Sequence, residues 1–592
     1  MKIIQKNIKL GQRLVHALGG SIKTNTIVNK TICGCGATYS EIKAPRHSII
    51  VEPNLPVIKG KEKDHPEIFG VYEGRNRPHI KKYVNQMIRE GRYMKFITTP
   101  ESFRKIRDAL MEMGLDLYAD FFLLFDECER TIQDIDYRGS IELPMDEFFN
   151  FHNKAMVSAT PLMPSDPRFR EQGFTMVKLT PDYDYKQKIG LITTNNTIAV
   201  MRRMFERWKG ERIFIFMNAT NQIYNIICTF GLQGKSKVFC SDKSVKKLQT
   251  EFGFSDAYDH LTEFAEFNFF TSRFFSAVDI MLDYKPNVMI LTDVFRAKQT
   301  MMDPQTEVVQ ILGRFRNGVG KRVHITNYNT KLEWKTESQM EKYLCECEKF
   351  YTGVTEQKFD KTESGSIDSQ KQAKEGMEYD RFVKNGKRNY YMWDNAKDEE
   401  RIKSYYQATW RLLNAYKDSP LIAVHQNIDV PLSDEDILRR TKPRISFCEL
   451  SKVLVEQLDK LQQNPSDLEY TYQMKEIKEC CDFTVTAYFI LGGEKLGELG
   501  YKKTKIETAL KNHENNIRFT DPKVVKAVYD RYKVGDIVPI SEVIVFFRQL
   551  VKEYNIPYTG RYTSDMMGRY FEIYKTSRTK KVRMIELVEQ LL

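Results

Sequence analysis

The sequence predicts an α/β protein in which two tandem lobes, each built on a parallel sheet, precede a helix-rich C-terminal region. First, short apolar runs alternate with amphipathic stretches from Ile27 to about Pro161, the pattern of a parallel sheet flanked by helices. Second, the same alternation returns from about Lys188 to Asn329. Third, a chain of 592 residues is too long for one hydrophobic core, so three or four domains are expected.

Residues 1–180 are predicted to form the first lobe. Helical patterns at Ile80–Glu90 and Ser102–Met113 separate its strands. The continuous apolar run Phe121–Phe125 ends on Asp126, as expected of a strand that is buried on both faces and carries an acid at the carboxyl edge of its sheet. The candidate strands are Ser48–Glu52, Phe69–Glu73, Met94–Thr98, Phe121–Phe125 and Ala155–Ser158.

Residues 186–330 are predicted to form the second lobe. The stretch Pro161–Tyr185, rich in proline and aspartate, is interpreted as the linker between the lobes. Residues 331–400 are interpreted as a linker or insertion with a polar, flexible part at Thr352–Lys374. The candidate strands of the second lobe are Arg212–Met217, Lys237–Cys240, Asn268–Thr271, Val288–Leu291 and Arg322–Ile325.

A helical domain is predicted over 401–490 and a winged-helix-like domain over 491–592. The latter depends on helices at Ser541–Tyr554 and Thr563–Tyr570 and on the short runs Glu572–Lys575 and Lys581–Ile585. Cations interleaved with tyrosines favour nucleic-acid binding, whereas the alternative is a protein-interaction domain whose tyrosines form its core. The interleaved residues are Arg561, Arg569, Lys575, Arg578, Lys580, Lys581 and Arg583 with Tyr558, Tyr562, Tyr570 and Tyr574.

The amino-acid composition limits the classes of protein to which this chain can belong. A hydrophobic fraction of 41% excludes overall disorder. The net charge of +12 favours a polyanionic partner, although ordinary solubility explains it equally well. None of the ten cysteines forms a C-x-x-C pair, which indicates free thiols in a reducing cytoplasm. Without a signal-peptide core or a membrane-length apolar run, we expect a soluble cytoplasmic protein.

Thr31–Thr38, with the sequence TICGCGAT, is a candidate phosphate loop. Its glycines allow backbone N–H groups to face an anion, and the helix that follows adds its positive N-terminal end. The hydroxyl of Thr38 is suited to ligate Mg²⁺. However, Ala37 stands where such a loop has its lysine, and a plain glycine turn explains the segment at least as well.

Asp126 and Glu127 are candidate metal ligand and catalytic base. An aspartate at a strand end can hold Mg²⁺, and an adjacent glutamate can orient the water that attacks a γ-phosphate. An acidic loop after a buried strand is the alternative. The order favours the catalytic interpretation, because the acids follow the glycine loop by about ninety residues within one predicted sheet.

Two further segments complete the series. Ser158-Ala159-Thr160 ends the next strand, where a simple turn is the alternative. Gln310–Arg316 in the second lobe begins a helix with two arginines, whose planar guanidinium groups suit a finger supplied across a cleft. The alternative is a solvent-exposed basic helix without a catalytic role, which would show the same sequence pattern.

In this order the motifs resemble those of superfamily 2 helicases, over about residues 20–330. The sequence is most similar to divergent helicases of large bacteriophages, crAss-like phages included, and the short last motif also resembles herpesvirus origin-binding helicases. The resemblance implies two RecA-like P-loop lobes and an ATPase that unwinds or remodels DNA in phage replication or recombination, within the host cytoplasm. The implied cofactors are ATP and Mg²⁺. The implied partners are single-stranded DNA, or a duplex with a single-stranded region, and other replication proteins; RNA is not excluded.

The resemblance also implies roles for individual residues. Asp126 and Thr38 would hold Mg²⁺, Glu127 would be the general base, and Ser158 and Thr160 would couple the ATP state to motion of the lobes. Contacts with the γ-phosphate would come from Gln310, Arg314 and Arg316. The nucleotide site would comprise Cys33, Gly34, Cys35, Gly36, Ala37, Thr38 and, near the ribose, Asp279, and Lys30 is added to it as a separate hypothesis. The nucleic-acid path would be lined by Pro53, Asn54, Thr99, Ser102, Asn218, Thr220 and Thr271, the last of which begins a motif that joins nucleic acid to nucleotide.

Two departures from the helicase pattern define the alternatives. The second arginine ordinarily falls one position later, where this chain has Asn317. The lysine is missing at position 37, and Lys30 is the hypothesised replacement, because a flexible side chain can keep its tip in place from a different anchor. If no group replaces that lysine, the chain is a non-hydrolysing nucleic-acid-binding scaffold. A packaging ATPase with a nuclease domain would need clustered acids in the C-terminal half, which the sequence predicts to be helical.

Overall fold

The computed structural model describes residues 1–275, 278–356, 372, 376–463, 468–579 and 582–592. The chain divides into two compact units, 1–430 and 431–592. All ten cysteines are free. Among the described residues, no helix combines the length and apolar character needed to cross a membrane.

Lobe 1 is a parallel sheet with helices between its strands, which confirms the predicted fold class. Its strands are β1 (Lys2–Ile8), β2 (Thr26–Asn29), β3 (His47–Val51), β4 (Phe69–Val71), β5 (Lys95–Thr98), β6 (Phe121–Asp126), β7 (Asn153–Ser158) and β8 (Thr175–Pro181). They pair in the order β1-β8-β2-β7-β6-β3-β5-β4. The helices are α1 (Leu14–Leu18), α2 (Ala37–Ile42), α3 (Leu55–Asp64), α4 (Arg77–Glu90), α5 (Phe103–Glu112), α6 (Leu117–Asp120), α7 (Arg130–Gln133), α8 (Met145–Phe148) and α9 (Pro167–Glu171), with 3₁₀ turns at Pro100–Ser102 and Gly139–Glu142.

The predicted linker Pro161–Tyr185 contributes a strand to this sheet, which corrects its interpretation as a simple connection. It contains α9 and β8, and β8 pairs with β1 on one side and β2 on the other. Because prolines and aspartates surround β8, its short apolar pattern is not recognised as a strand in the sequence. Strand β1 was missed for a related reason, since it is an edge strand with an almost fully exposed, lysine-containing sequence.

Lobe 2 repeats the architecture. Its first strands are β9 (Gln187–Thr194), β10 (Ile213–Phe216), β11 (Ser236–Phe239), β12 (Ala257–Tyr258), β13 (Phe267–Phe270), β14 (Asn287–Thr292) and β15 (Arg322–Thr326). Its helices are α10 (Thr197–Arg207), α11 (Thr220–Thr229), α12 (Asp242–Phe252) and α13 (Glu307–Gly313), with 3₁₀ turns at Ser272–Phe274 and Lys298–Thr300.

The next segment belongs to both lobes rather than forming the predicted linker over 331–400. It contains α14 (Glu337–Glu356), a 3₁₀ turn (Glu378–Phe382), the hairpin β16 (Val383–Lys384) and β17 (Lys387–Arg388), α15 (Tyr390–Tyr405), α16 (Thr409–Lys417) and β18 (Leu421–Ile428). Strand β18 completes the parallel sheet of lobe 2, in the order β12-β11-β13-β10-β14-β15-β9-β18. Within the predicted flexible stretch Thr352–Lys374, residues 352–356 are helical and all others except 372 lie outside the described residues.

Helix α15 is buried in lobe 1 at one end and packs on lobe 2 at the other. Trp393, near its start, is 1% exposed in the hydrophobic cluster of lobe 1. Ile402 and Tyr405, near its end, pack against the cluster of lobe 2, and Arg401 Nη2 donates to Asp303 Oδ2 of that lobe at 2.8 Å. The helix therefore ties the two lobes together.

The second unit is helical and ends in a small antiparallel sheet. Its helices are α17 (Asp434–Arg440), α18 (Phe447–Gln462), α19 (Leu468–Cys480), α20 (Asp482–Leu491), α21 (Gly493–Glu498), α22 (Lys503–Phe519), α23 (Pro522–Arg531) and α24 (Ile540–Glu553), with a 3₁₀ turn at Ser564–Arg569. The strands β19 (Ile537–Pro539), β20 (Phe571–Thr579) and β21 (Val582–Gln590) pair in the order β19-β21-β20.

The candidate wing differs from the sequence interpretation in two ways. The helix predicted at Thr563–Tyr570 is only a 3₁₀ turn, and its exposed positions include Asp565. Tyr570 is buried, Tyr558 and Tyr562 pack against the same core, and Tyr574 alone of the four is exposed, at 57%. Most of the tyrosines thus form the core. Lys580 and Lys581 lie outside the described residues.

Candidate functional site

The glycine loop links β2 to α2 and is fixed at its start. The backbone N–H of Lys30 donates to Ser158 O at 2.7 Å, which joins the loop to the end of β7. Thr31 adopts a left-handed backbone (φ +61°), an outlier for a β-branched residue that costs about 1–2 kcal/mol. Its side chain compensates by donating to Leu179 O at 2.5 Å. The strained conformation starts the loop directly after Lys30.

Lys30 is buried beside the acidic pair. Its Nζ lies 3.2 Å from Asp126 Oδ1 and 3.6 Å from Glu127 Oε1, and the residue is only 6% exposed. Burial disfavours the charged ammonium, but Asp126 and Glu127 outweigh burial and hold the pKa of Lys30 well above its ordinary value. The structure therefore places a charged lysine tip at the acids, although the residue precedes the loop.

Thr38 and Asp126 form a pair of oxygen donors suited to Mg²⁺. Thr38 Oγ1 donates to Asp126 Oδ2 at 2.6 Å, and the backbone N–H of Glu127 donates to Asp126 Oδ1 at 3.0 Å. Mg²⁺ prefers hard oxygen ligands and commonly uses one or two protein groups together with phosphate oxygens and water. A threonine hydroxyl and a carboxylate that already contact each other fit such an ion.

The cations around Glu127 lower its pKa despite its burial. Its backbone is left-handed (φ +49°), and its carboxylate accepts a hydrogen bond from Gln310 Nε2 at 3.0 Å. Burial would raise the pKa of Glu127, but Lys30, Arg314 and Arg130 together lower it.

Helix α13 of lobe 2 bonds directly to these groups. Gln310 Nε2 also donates to Glu129 Oε1 at 3.1 Å and to Thr160 Oγ1 at 3.2 Å, and Thr160 N donates to Ser158 Oγ at 2.9 Å. Arg314 Nη2 donates to Gln310 Oε1 at 2.9 Å and reaches Cys33 Sγ at 3.8 Å. The Ser-Ala-Thr segment and the glycine loop therefore both meet lobe 2 through α13.

Arg316 faces the glycine loop although it stands one position early. Its Nη2 donates to Asp279 Oδ1, and a Cβ placed on Gly34 would lie 3.0 Å from its Nη1. Gly34 is favoured as glycine by its φ of +81°, whereas the approach involves the flexible end of the Arg316 side chain, which can shift. Asn317 instead donates to Leu282 O at 2.6 Å.

A cavity of about 220 Å³ lies between the lobes at this point. Cys33 contacts Arg314 without lining the cavity, and residues 276 and 277, just before Asp279, lie outside the described residues. The predicted residues that line it are Lys30, Gly34, Cys35, Gly36, Ala37, Thr38, Asp126, Glu127, Asp279, Arg314 and Arg316.

Four lining residues were not among the sequence candidates: Tyr39, Glu52, Val57 and Lys61. Glu52 follows β3 and is 2% exposed; burial, Asp126 and Glu127 raise its pKa well above the ordinary value. Its position at the end of a predicted strand, like that of Asp126, was a usable signal. Lys61 lies on α3 among other lysines, and nothing in the sequence distinguishes it.

A second cavity of about 520 Å³ lies at the carboxyl edges of both sheets. Sequence reasoning did not select Tyr137, Arg138 or Arg273, which also line it. All seven residues predicted for the nucleic-acid path line this cavity: Pro53, Asn54, Thr99, Ser102, Asn218, Thr220 and Thr271.

No family model matches the sequence, and no curated protein matches it. Among solved structures, the chain is similar to S. cerevisiae Dbp5 bound to RNA and ADP BeF3 (13% identity, 51% of this chain and 79% of that chain, TM-score 0.33). It is also similar to RecG bound to a three-way DNA junction (13% identity, 64% and 48%, TM-score 0.30). A third is the ATP-dependent type ISP restriction-modification enzyme LlaBIII bound to DNA (11% identity, 92% and 39%, TM-score 0.37). These TM-scores lie below 0.5, so the site is interpreted from its own residues.

Glu129 gives a pH-dependent prediction. Burial, and then the neighbouring Glu127 carboxylate, raise the pKa of Glu129 to about 8. Because its folded pKa exceeds its unfolded value, ionisation destabilises the fold increasingly as pH rises from about 4.5 to about 8. Glu129→Gln should therefore raise the Tm of unit 1 relative to wild type at pH 9, with the difference shrinking toward pH 5.

Differential scanning calorimetry of the full chain measures this difference in Tm. Glu514→Gln, an exposed change on α22, is the control and should show no such trend. A difference that grows toward acidic pH would contradict the assignment.

The contact between Gly313 and Cys33 gives a second prediction. A Cβ on Gly313 would lie 2.5 Å from Cys33 Sγ, so Gly313→Ala should push α13 away from the glycine loop and destabilise unit 1 by about 1–3 kcal/mol. Adding Cys33→Ala removes the nearer atom and should recover part of that loss, which a double-mutant cycle in chemical denaturation measures. Gly60→Ala is the matched control, because that helical glycine has open space around it. Strict additivity of the two changes would argue against the contact.

Proposed function

We propose that this chain is a superfamily 2 helicase or translocase that hydrolyses ATP between two RecA-like lobes and moves along, or unwinds, DNA. The observation that carries the proposal is the convergence of seven side chains from both lobes around the 220 Å³ cavity or on its acidic wall. These are Lys30, Thr38, Asp126 and Glu127 from lobe 1 and Gln310, Arg314 and Arg316 from lobe 2.

The triphosphate of ATP would be held by the glycine loop and Lys30. Backbone N–H groups at Gly34 and Gly36 and the start of α2 provide the donors that an anion needs. The ammonium of Lys30, now paired with Asp126, can exchange a carboxylate for phosphate oxygens without moving far. Thr38 and Asp126 would hold Mg²⁺, which supplies charge neutralisation between the phosphates when bound.

Glu127 would orient the attacking water and accept its proton. An ionised carboxylate is the state that this role requires, and the cations around Glu127 favour that state. Arg314 and Arg316 would place their guanidinium groups against the charge that develops on the transferred phosphate.

Gln310 would transmit the nucleotide state between the lobes. It bonds to Glu127 in the catalytic pair and to Thr160, whose N–H bonds to Ser158 at the end of β7. Loss of the γ-phosphate would weaken this junction and let the lobes separate. Because the 520 Å³ cavity is also lined by both lobes, the separation would change the grip on a strand lying there.

The choice of DNA and a role in phage replication or recombination are inferred from the sequence resemblance. The net charge of +12 is consistent with either nucleic acid. The measurement of ATP turnover therefore includes RNA as well as DNA.

The second candidate is a scaffold that binds nucleic acid without ATP turnover. Ala37, which stands where a phosphate loop has its lysine, is 4% exposed and packs in a hydrophobic cluster of lobe 1.

ATP turnover with and without single-stranded DNA or RNA distinguishes the two candidates. Glu127→Gln should reduce stimulated turnover by roughly 10²- to 10⁴-fold, the range expected of a general base. Lys30→Ala should reduce it comparably, whereas Lys43→Ala, a change in an exposed lysine after α2, should not. Wild-type protein that binds nucleic acid without turning over ATP would favour the scaffold.

A relocated lysine provides the sharper test of Lys30. In Lys30→Ala/Ala37→Lys the ammonium is restored at the usual helical position, so turnover should recover in part if only the position of its tip matters. Circular dichroism and melting establish folding of each variant, since removing Lys30 leaves buried acids unpaired. Normal turnover by the folded Lys30→Ala variant would refute the role of Lys30.

A further inference from the structure

One tryptophan of this chain is exposed. Of the four tryptophans, Trp208 and Trp393 are 3% and 1% exposed, and Trp334 is partly buried. Trp410, the second residue of α16, is 59% exposed. A large, rigid aromatic ring on the surface is the kind of residue that dominates binding sites.

Arg411 connects Trp410 to a second indole. Its Cζ lies 4.8 Å from the ring centroid of Trp410 and 4.6 Å from that of Trp334. The ring of Trp334 is itself fixed, because its Nε1 donates to Gln407 Oε1 at 3.1 Å. These three residues, Trp334, Trp410 and Arg411, form an ordered cluster that we call the tryptophan platform.

The topology of lobe 2 places the platform at the carboxyl edge of the sheet. Helix α16 ends just before β18 begins, and β18 is parallel to the other strands, so the start of α16 lies at the edge where those strands end. Trp334 follows β15 in a loop that Asn329 anchors by donating its N–H to Tyr406 O at 3.0 Å. This is the edge that also carries Asn218 and Thr271, after β10 and β13.

The strand order gives the offset, along the edge of the sheet, between the strands that lead to the platform and the strand that leads to the 520 Å³ cavity. Strand β15 is two positions from β10, and β18 is four. At about 4.8 Å per strand this offset is roughly 10–19 Å, so a nucleic-acid strand that leaves the cavity along this edge would run toward the platform.

The platform is flanked by charges of both signs. Lys331 and Lys335 are exposed on the same loop as Trp334, and Arg411 adds a third cation, while Glu333, Glu337 and Glu400, which accepts from the backbone N–H of Lys335, are the nearby acids. Cations beside an exposed aromatic face are the combination that binds single strands, because the ring stacks on a base while the cations contact phosphates.

We propose that the tryptophan platform binds an unpaired base of single-stranded nucleic acid, with the indole of Trp410 stacked on the base and Arg411 directed to a phosphate. The inference rests on the proposed function, since it supposes that the chain handles a nucleic-acid strand. The platform extends the binding path beyond the cavity between the lobes and requires unstacked bases.

Binding of the full chain to fluorescein-labelled oligo(dT) of 20 nucleotides at fixed salt tests the proposal. Trp410→Ala should raise Kd by roughly 5- to 150-fold, as expected for the loss of one base–aromatic stack. Trp410→Phe should restore most of the affinity because a phenyl ring also stacks. Tyr93→Ala is the matched control: Tyr93 is 51% exposed but precedes β5, at the opposite edge of the lobe 1 sheet, so its loss should leave Kd unchanged.

Three measurements make the outcome decisive. Indole fluorescence should be quenched by unlabelled oligo(dT) in wild type and much less in Trp410→Ala. Affinity for a blunt duplex should change less than twofold in Trp410→Ala, because paired bases offer no free face. ATP turnover without nucleic acid should also be unchanged in this variant.

Different experimental results would overturn the tryptophan platform and the proposed function. If wild type binds oligo(dT) and hydrolyses ATP but Trp410→Ala binds equally well, the platform is overturned while the helicase proposal stands, and a protein partner becomes the better occupant. An equal loss on duplex and single strand would also overturn it. If wild type binds oligo(dT) through Trp410 but never hydrolyses ATP, the platform stands and the ATPase fails.

Discussion

The buried ion pair between Lys30 and Asp126 is the interaction on which the cleft depends. Two charges removed from water are stable only while each has its partner, and breaking such a pair costs about 3–5 kcal/mol. Lys30 brings the start of the glycine loop over the end of β6, where Thr38 meets the other oxygen of Asp126. The same cation helps keep Glu127 ionised, and Gln310 of lobe 2 bonds to that carboxylate. The glycine loop, the acids and the opposite lobe are thus held around one ammonium group.

The sequence was sufficient for the strands that are buried on both faces and for the residues that follow them. Strand β6 is a continuous apolar run, and parallel strands bring their carboxyl ends to one edge, so residues far apart in the chain were expected together. Strands β1, β8 and β18 could not be recognised in this way. Two of them are edge strands with mainly exposed side chains, and the partners of all three are distant in sequence. A hydrophobic pattern indicates that a face is buried, but not against which lobe, as α14 and α15 illustrate.

In this cleft, the place that a charged group reaches matters more than the position of its residue in a sequence motif. Arg316 stands one residue early, and Lys30 precedes its loop, yet both end at the same cavity. Long cationic side chains tolerate such displacement because their charged groups lie several bonds from the backbone. The glycines are more constrained: Gly34 has a φ of +81°, and a Cβ on Gly313 would lie 2.5 Å from Cys33 Sγ of the opposite lobe. In this cleft the positions of the glycines are set by backbone angle and close contacts, whereas the residue that carries each cation can lie at a different position in the chain.

Helix α15 limits how the two lobes can move. Trp393 fixes one end in lobe 1, and the contact between Arg401 and Asp303 fixes the other in lobe 2. Because one helix is fixed to both lobes, we expect the lobes to turn about α15 more readily than to move along it. Such a rotation would change the spacing of residues that lie far from α15, at the carboxyl edges of the two sheets, more than the spacing of residues close to it.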